Sequence, residues 1–403
     1  MDHPRFVISA DEAQSMAKLS GLSVPQLLPT LVKSAQKLAR PPTSNYHVAA
    51  VGLSSDGRIF IGVNLEFPGV PLHHSVHAEQ FLVTNHAFHN SPGLVYIAVS
   101  SAPCGHCRQF LQELRGAGDI QILITSEMTQ VAQMAQEDVI YKPLLSLLPN
   151  PFGPCDLLDQ EMPLILENHK NGLCLVENKS LANGFGQDCE KLRFLALEAA
   201  NASHAPYSHC PSGVALMDAN GRFYKGCYME SAAYNPSLGP VQAALVAFIA
   251  SGGGGYDEIV AAVVVEKEEA VVRQEDTARG KLDWEAGSMT TDISRGNNAV
   301  SSLFSVLDRE AAKLANALKF ISKIKDGYNT YCEDRGAQLS GVSTIPKSNS
   351  IAVIKEGKVV EEGSQSDLLQ FAAENITIWF NYKVATPTGG NRNKEERCLK
   401  FIE

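Results

Sequence analysis

The sequence predicts an α/β protein in which a three-layer α/β/α domain occurs twice and is followed by an unrelated extension. Strand-like and helix-like segments alternate through the first 150 residues, a pattern typical of helices packed on both faces of a sheet. The hairpin-then-helix pattern returns near residue 206, and the character of the chain changes again near residue 287. We therefore expect a first domain at 1–150, a linker and a degenerate, truncated second copy at 151–279, and the extension at 280–403. The second copy is expected to stop after Arg279, before a final helix and strand.

Length and charge narrow the class of protein. The chain has 403 residues, more than a single core usually needs. Its formal net charge of -10 argues against a surface that holds a nucleic acid backbone. The sequence has no apolar run long enough to span a membrane and no secretory signal at its N-terminus. We expect a cytoplasmic protein that binds neither membranes nor nucleic acids.

The first domain contains a regular series of predicted elements. Residues 11–40 have helix formers at helical spacing and predict a helical lead-in. Residues 46–67 alternate between apolar and polar and contain the turn signal Ser55-Asp56-Gly57, which predicts a hairpin. The remaining predicted elements are a helix from residue 78, a strand at 94–101, a helix at 104–116 and a strand at 121–126.

A second copy follows a Pro-rich linker at 147–190. Residues 206–231 reproduce the hairpin, and residues 240–253 reproduce the helix after it. We expect Gln242 and Ala244 where His77 and Glu79 stand in the first copy, and no cysteine pair comes after them. The second copy is therefore predicted to keep the scaffold and to lack a metal site.

The chemistry is concentrated in two motifs of the first copy, His77-Ala78-Glu79 and Pro103-Cys104-Gly105-His106-Cys107. One imidazole and two thiolates give zinc three protein ligands and leave a fourth position open, as in a catalytic site. Cysteines three residues apart at the start of a helix can reach one ion, and the helix N-terminus favours their thiolates. The alternative is a closed structural site in which His106 or another histidine is the fourth ligand.

Glu79 is the predicted proton carrier. It lies two residues after the ligand His77, where it can sit beside the metal without binding it. Zinc lowers the pKa of bound water toward about 7, so hydroxide becomes available to attack an electron-poor ring carbon. The two motifs together match the signature of the zinc-dependent deaminases of nucleobases.

The segments VNLEF, HAEQ and APCGHCRQFLQELRG closely resemble those of the homodimeric cytidine deaminases of the enterobacterial and plant type, and the resemblance covers about residues 1–278. It implies the cytidine deaminase fold with a degenerate second copy, one Zn²⁺ per chain and a homodimer. It also implies hydrolytic deamination of the small nucleosides cytidine and deoxycytidine in pyrimidine salvage. In that reaction hydroxide adds at C4 and Glu79 shuttles protons.

The same resemblance implies three substrate-binding residues. Tyr46 is expected to pack against the pyrimidine, and Asn64 and Glu66 to hold a ribose hydroxyl. An amide and a carboxylate two residues apart on a strand face the same side and can bind one hydroxyl together. A site that holds a free 3′-hydroxyl would collide with a continuing phosphate, so an editing deaminase of polynucleotides is disfavoured.

The extension has a different character. Segments between about residues 287 and 370 resemble fragments of a plant multidrug-type ABC transporter nucleotide-binding domain. The Walker A loop that cradles phosphates is absent from them. The alternative to an active deaminase is therefore a catalytically inactive chimeric product or scaffold.

Overall fold

The computed structural model describes residues 5–128, 140–175 and 186–278, together with four strands beyond residue 289. The helices are α1 Ala10–Ser20, α2 Val24–Ala35, α3 Ala78–Phe88, α4 Gly105–Phe110, α5 Thr125–Met128, α6 Leu144–Leu147, α7 Pro154–Leu157, α8 Gly186–Asn201 and α9 Pro240–Ala250. The strands are β1 Val7–Ile8, β2 Ala49–Ser54, β3 Ile59–Val63, β4 Leu94–Val99, β5 Gln121–Ile124, β6 Lys142–Pro143, β7 Ser212–Asp218, β8 Phe223–Cys227, β9 Ile259–Glu266, β10 Thr290–Gly296, β11 Ala299–Ser305, β12 Ile351–Lys355 and β13 Lys358–Gly363. We call residues 1–150 the first repeat and residues 151–279 the second repeat.

The helical lead-in is confirmed, and it consists of two helices. The Ser9 hydroxyl caps α1 by accepting the N–H of Glu12 at 3.3 Å. The helix ends at Gly21, which has a left-handed φ of 65°; glycine adopts this conformation without steric cost. α2 then starts after Ser23 with Pro25 in its first turn, a position that proline tolerates because the first-turn N–H has no helical partner.

The first sheet has the strand order β1-β3-β2-β4-β5-β6. The predicted hairpin is confirmed as β2 and β3, which pair antiparallel, and β4 pairs antiparallel with the other edge of β2. β4 and β5 run parallel, so their carboxyl ends lie at the same edge of the sheet. The chain leaves β4 at this edge and continues into the segment that carries Cys104 and Cys107.

Helices cover β2 on both faces. All six residues of this strand are buried, and both α2 and α3 pack against it. α3 also lies directly on β3, because a Cβ added at Gly62 would collide with the backbone of Ala78 and Leu82. This close approach fixes the distance between α3 and the sheet. His77 and Glu79 lie at the start of α3 and are positioned by it.

The second repeat has its own sheet, in the order β10-β11-β9-β7-β8. The predicted second hairpin is confirmed as β7 and β8, which pair antiparallel. α8, which was not foreseen, packs against β7 and β9 through Leu192, Ala196 and Ala200. Small residues with a low hydrophobic contrast give this helix little periodic signal in the sequence. The two repeats meet through α3 and α9.

Two compact units make up the chain, Met1–Ala286 with Asp292–Phe304, and Gly287–Thr291 with Ser305–Glu403. β11 lies beside β9 in the second sheet, although the sequence predicted that the extension starts at residue 280. The ABC transporter fragments were expected at 287–370, and most of that region lies outside the described residues. Of that region, the second unit contains the antiparallel pair of β12 and β13.

Within the described ranges, the helices are all too short or too polar to cross a membrane.

Candidate active site

His77 is placed by the start of α3. It is the residue before the first turn, with an extended backbone, and its N–H donates to Gln80 Oε1 at 3.1 Å. The preceding residue, Val76, is fixed by a two-bond bridge to Leu65. The imidazole is half-buried, so one side of the ring remains open to a ligand.

The two cysteines are placed by α4. Cys104 is the residue before the helix, and Cys107 lies in its first turn. Arg108 holds this turn by donating to the carbonyl oxygens of Pro103 at 2.7 Å and Leu147 at 2.8 Å. Cys104 is exposed and Cys107 is buried, so the pair lies at the boundary between solvent and core. The predicted helix over 104–116 tightens after Phe110 into a 3-10 turn, Leu111–Glu113.

The structure brings these three side chains together. His77 Nδ1 lies 3.3 Å from Cys104 Sγ and 3.3 Å from Cys107 Sγ, and the two sulfurs are 3.7 Å apart. Tetrahedral zinc with ordinary Zn–S and Zn–N bonds requires separations of about 3.8 Å between sulfurs and about 3.5 Å between sulfur and nitrogen. The donor set therefore fits zinc. No other group of three such ligands occurs among the residues that the structure describes.

The electrostatics of the donors also suit a cation. The hydrogen bond from the Cys107 thiol, followed by that from His77, lowers the pKa of Cys104 to about 3. The same bond with Cys104, and then burial, raise the pKa of Cys107 well above its ordinary value. Cys104 thus favours the thiolate form and Cys107 the thiol form, and binding a dication would remove the remaining proton because metal ligands must be thiolates.

Glu79 lies beside this cluster without being part of it. The side chain is 4% exposed, and its Oε2 is 3.2 Å from Cys107 Sγ. Burial raises the pKa of this carboxyl above its ordinary value, because desolvation penalises the charged form. Glu79 is therefore placed to hold a proton next to the three candidate metal ligands.

The three predicted substrate-binding residues lie on the loop and strand end before α3. Tyr46 is 60% exposed, and its hydroxyl contacts Ser101 Oγ at 2.8 Å. Asn64 bonds the backbone on both sides of residue 47, donating to the carbonyl of Tyr46 at 2.9 Å and accepting the N–H of Val48 at 2.9 Å. Glu66 is near enough to His77 for each charge to influence the pKa of the other residue.

Glu66 also holds a turn of its own repeat. Its carboxylate accepts the N–H groups of Thr43 at 2.9 Å and Ser44 at 2.8 Å, and the Ser44 hydroxyl at 2.5 Å. A carboxylate has about four acceptor positions. These three bonds therefore leave room for one further donor.

The second repeat lines part of a small cavity beside His77, which the sequence did not indicate. Asn235, Ser237 and Gln242 line a small cavity together with His77 and His106. The sequence of this segment contains no motif, so its position is visible only in the folded chain. His106 has an exposed side chain, and its ring centroid lies 6.4 Å from that of His77.

The expected correspondence of Gln242 and Ala244 with His77 and Glu79 is wrong by three residues. The bridge from Leu65 to Val76 matches the bridge from Met229 to Leu238. The residues that follow these bridges are His77 and Gly239, and both precede the first turn of a helix. Glu79 therefore corresponds to Val241, which is an apolar core residue.

Comparisons with known proteins agree with this geometry. The model of the cytidine and deoxycytidylate deaminase zinc-binding region matches residues 23–124, and a second model of that region matches residues 144–279. Cytidine deaminase 1 of Arabidopsis thaliana is 58% identical over 285 residues, which are 70% of this chain and 95% of that protein. The chain belongs to the cytidine deaminase family.

Other members are more distant. The cytidine deaminase of Pectobacterium atrosepticum is 38% identical over 61% of this chain and 75% of its own length. The solved structure of cytidine deaminase from Mycobacterium tuberculosis is 27% identical over 32% of this chain and 95% of its own, with a TM-score of 0.26. The family match and the His/Cys/Cys cluster identify Zn²⁺ as the metal of this deaminase.

Proposed function

We propose that this chain hydrolyses the 4-amino group of free cytidine and deoxycytidine and releases uridine or deoxyuridine and ammonia. The observation that carries the proposal is the buried Glu79 carboxyl, which lies 3.2 Å from a sulfur of a three-ligand zinc cluster. A structural zinc site has no use for such a group. The relatives at 58% and 48% identity are both named cytidine deaminases.

His77, Cys104 and Cys107 would hold one zinc ion per chain. When bound, zinc acts as a Lewis acid and lowers the pKa of a water molecule toward about 7. Cys104 is exposed and His77 is half-buried, which would leave the outer face of the cluster open to a substrate. His106 is not needed as a ligand in this arrangement.

Glu79 would carry protons between the water and the pyrimidine. The carboxylate accepts one proton from the attacking water and delivers it to N3, which makes C4 electrophilic. It then moves a second proton to the departing amino nitrogen. Burial raises the pKa of Glu79, which suits a carboxyl that must both accept and release a proton during the reaction.

The substrate would be held at the first repeat's hairpin end. Tyr46 presents an exposed ring for the pyrimidine, and Asn64 and Glu66 each retain unused hydrogen-bonding capacity for a ribose hydroxyl. A hydroxyl held in this way cannot carry a continuing phosphate. Together with the net charge of -10, this favours a free nucleoside over a polynucleotide.

We further propose a cytoplasmic homodimer. The holoenzyme is expected to sediment at twice the mass of one chain. A monomer with full activity would contradict the dimer without touching the assignment of the site. Residues beyond 279, where the family match ends, are proposed to contribute no catalytic group.

The decisive experiment is the loss of cytidine absorbance on adding purified Glu79→Gln protein beside the wild type. We expect a decrease in kcat of about 10²-fold to 10⁴-fold, the usual contribution of a general acid and base, at unchanged zinc content. Glu266→Gln is the matched control, because Glu266 is also buried but lies in β9 of the second repeat. Wild-type protein that binds zinc and leaves cytidine unchanged would support the inactive alternative and overturn the proposal.

A further inference from the structure

One loop of the second repeat contacts both helical elements that carry the proposed zinc ligands. We call residues 228–239, which join β8 to α9, the bridging loop. In its first half the N–H of Ala232 donates to Glu113 Oε1 at 2.7 Å. Near the other end the carbonyl of Pro236 accepts a hydrogen bond from Gln80 Nε2 at 3.0 Å. Glu113 ends the turn that continues α4, and Gln80 lies in the first turn of α3.

The bridging loop is held in one shape by its own hydrogen bonds. Its ends are joined by the paired bonds between Met229 and Leu238, at 3.0 and 2.8 Å. Inside it, the N–H of Ser231 donates to Ser237 Oγ at 3.0 Å, and the N–H of Ser237 donates to the carbonyl of Tyr234 at 2.9 Å. Because these bonds hold the loop in one shape, it can keep the groups that it contacts at a constant separation.

Glu113 is bound tightly at its end. The side chain is completely buried, and its Oε2 accepts the Tyr207 hydroxyl at 2.6 Å and His204 Nε2 at 3.3 Å. All three donors to this carboxylate, counting Ala232, belong to the second repeat. A buried carboxylate is costly unless it is hydrogen-bonded, so these bonds fix the position of Glu113 and of the turn that follows Cys107.

Gln80 makes the matching connection to the other ligand. Its amide nitrogen bonds the bridging loop, and its Oε1 accepts the N–H of His77 at 3.1 Å. The side chain of Gln80 therefore links the backbone of His77 directly to the bridging loop. To share a zinc ion, Cys107 Sγ and His77 Nδ1 must lie at about the separation that tetrahedral zinc requires. Cys107 is connected to the bridging loop through Glu113, and His77 is connected to it through Gln80.

We propose that the bridging loop sets the spacing between α3 and α4, and that Glu113 is a positioning residue for the zinc site. The inference rests on the proposed function, because it takes His77 and Cys107 as ligands. In this arrangement the second repeat braces the metal site of its own chain, although its own copy of the site is lost.

The test is the zinc affinity of the full-length holoenzyme, measured by competition with a chromophoric chelator. Glu113→Gln is expected to raise the zinc dissociation constant at least about 10-fold, as is usual for the loss of a group that orients a ligand. Asp218→Asn is the matched control. Asp218 is also buried and accepts a tyrosine hydroxyl, from Tyr224 at 2.8 Å, but it is the last residue of β7 in the second repeat. It is expected to lower Tm and leave the dissociation constant unchanged.

A second variant separates positioning from charge. Tyr207→Phe removes one donor to Glu113 and leaves every charge in place, and it is expected to raise the dissociation constant by a smaller factor. Equal zinc affinity in the wild type and both variants would overturn the proposal. So would weakening in Glu113→Gln alone, since that result assigns the effect to the lost charge.

Cytidine turnover is measured separately in the same proteins. Wild-type protein that binds zinc but spares cytidine contradicts the proposed function, and the affinities still decide the role of Glu113. Wild-type protein that binds no zinc overturns both.

Discussion

Glu66 and Glu230 occupy equivalent positions in the two repeats and make equivalent bonds. Glu230 accepts the N–H groups of Tyr207 and Ser208 at 2.9 and 3.1 Å, and also the Ser208 hydroxyl. Glu66 does the same with Thr43 and Ser44. Because the described part of the second repeat contains no cluster of metal-binding side chains, this bonding does not depend on catalysis. A role of Glu66 in binding the sugar must therefore come in addition to holding its turn.

The two roles of Glu66 predict different substrate dependence. We expect Glu66→Gln to lose about 10-fold or more of the preference, in kcat/KM, for cytidine over 3′-deoxycytidine, because hydrogen bonds to charged groups contribute about 1.5–3 kcal/mol. Ser44→Ala is the matched control, since it loosens the same turn and keeps the carboxylate. Equal losses on both nucleosides in both variants would show that Glu66 holds the turn and does not bind the sugar.

At the scale of elements, α3 is the helix on which the site depends. Nine of the eleven residues of α3 are buried, and the polar residues Glu79, Gln80 and His86 are among them. His86 is 0% exposed, and its ring packs on Phe60 with centroids 4.7 Å apart. Burial lowers the pKa of His86 to about 4. This helix thus carries a histidine that remains neutral in the folded protein.

His86 predicts a specific loss of stability in mild acid. The unfolded chain binds this proton near pH 6.5 and the folded chain only near pH 4, so the stabilisation is present above pH 6.5 and is lost as the pH falls toward 4. Between pH 7 and pH 5 we expect the free energy of unfolding to fall by about 2 kcal/mol more in the wild type than in His86→Leu. Urea unfolding at the two pH values measures this difference. Parallel pH dependence of the two proteins would contradict it. Burial acts against ionisation of nearby Asp56, but hydrogen bonds from Arg58 and Ser91 lower its pKa overall. The stabilisation from that carboxylate is constant above about pH 5 and is lost only below it, so it does not produce this difference.

At the scale of the molecule, the second sheet extends beyond the family match. In the second sheet β11 lies next to β9, as β5 lies next to β4 in the first sheet. β10 is the edge strand beyond β11. An uncovered β9 would present a row of unpaired backbone groups, which favours association between chains. The segment that completes this sheet therefore has a structural task even though it carries no proposed catalytic residue.

Two truncations test this task. Residues 1–305 keep β10 and β11 and are expected to retain the Tm and the cytidine turnover of the full chain. Residues 1–279 lose both strands, and we expect a Tm lower by about 5 °C with concentration-dependent association in light scattering. Equal stability of the two truncations would show that β11 does not protect β9.

The sequence by itself determined the parts of this protein that depend on short-range spacing. The hairpins, α3 and the two motifs follow from local patterns, because residues one helical turn or one strand apart have fixed geometry wherever they occur. His77 with Glu79, and Cys104 with Cys107, are pairs of this kind. Membership in a family with a zinc site followed from those motifs and their spacing.

Only the tertiary structure decided how the repeats correspond and how they meet. The match of Gly239 and Val241 to His77 and Glu79 depends on a bridge between residues 229 and 238, and nothing local distinguishes it from a match three residues later. The contacts of Glu113 and Gln80 with the bridging loop join segments more than a hundred residues apart. Hydrogen bonds between such distant segments depend on how helices and sheets pack. This packing produces no regular spacing of residues in the sequence, so the bonds could not be predicted from it.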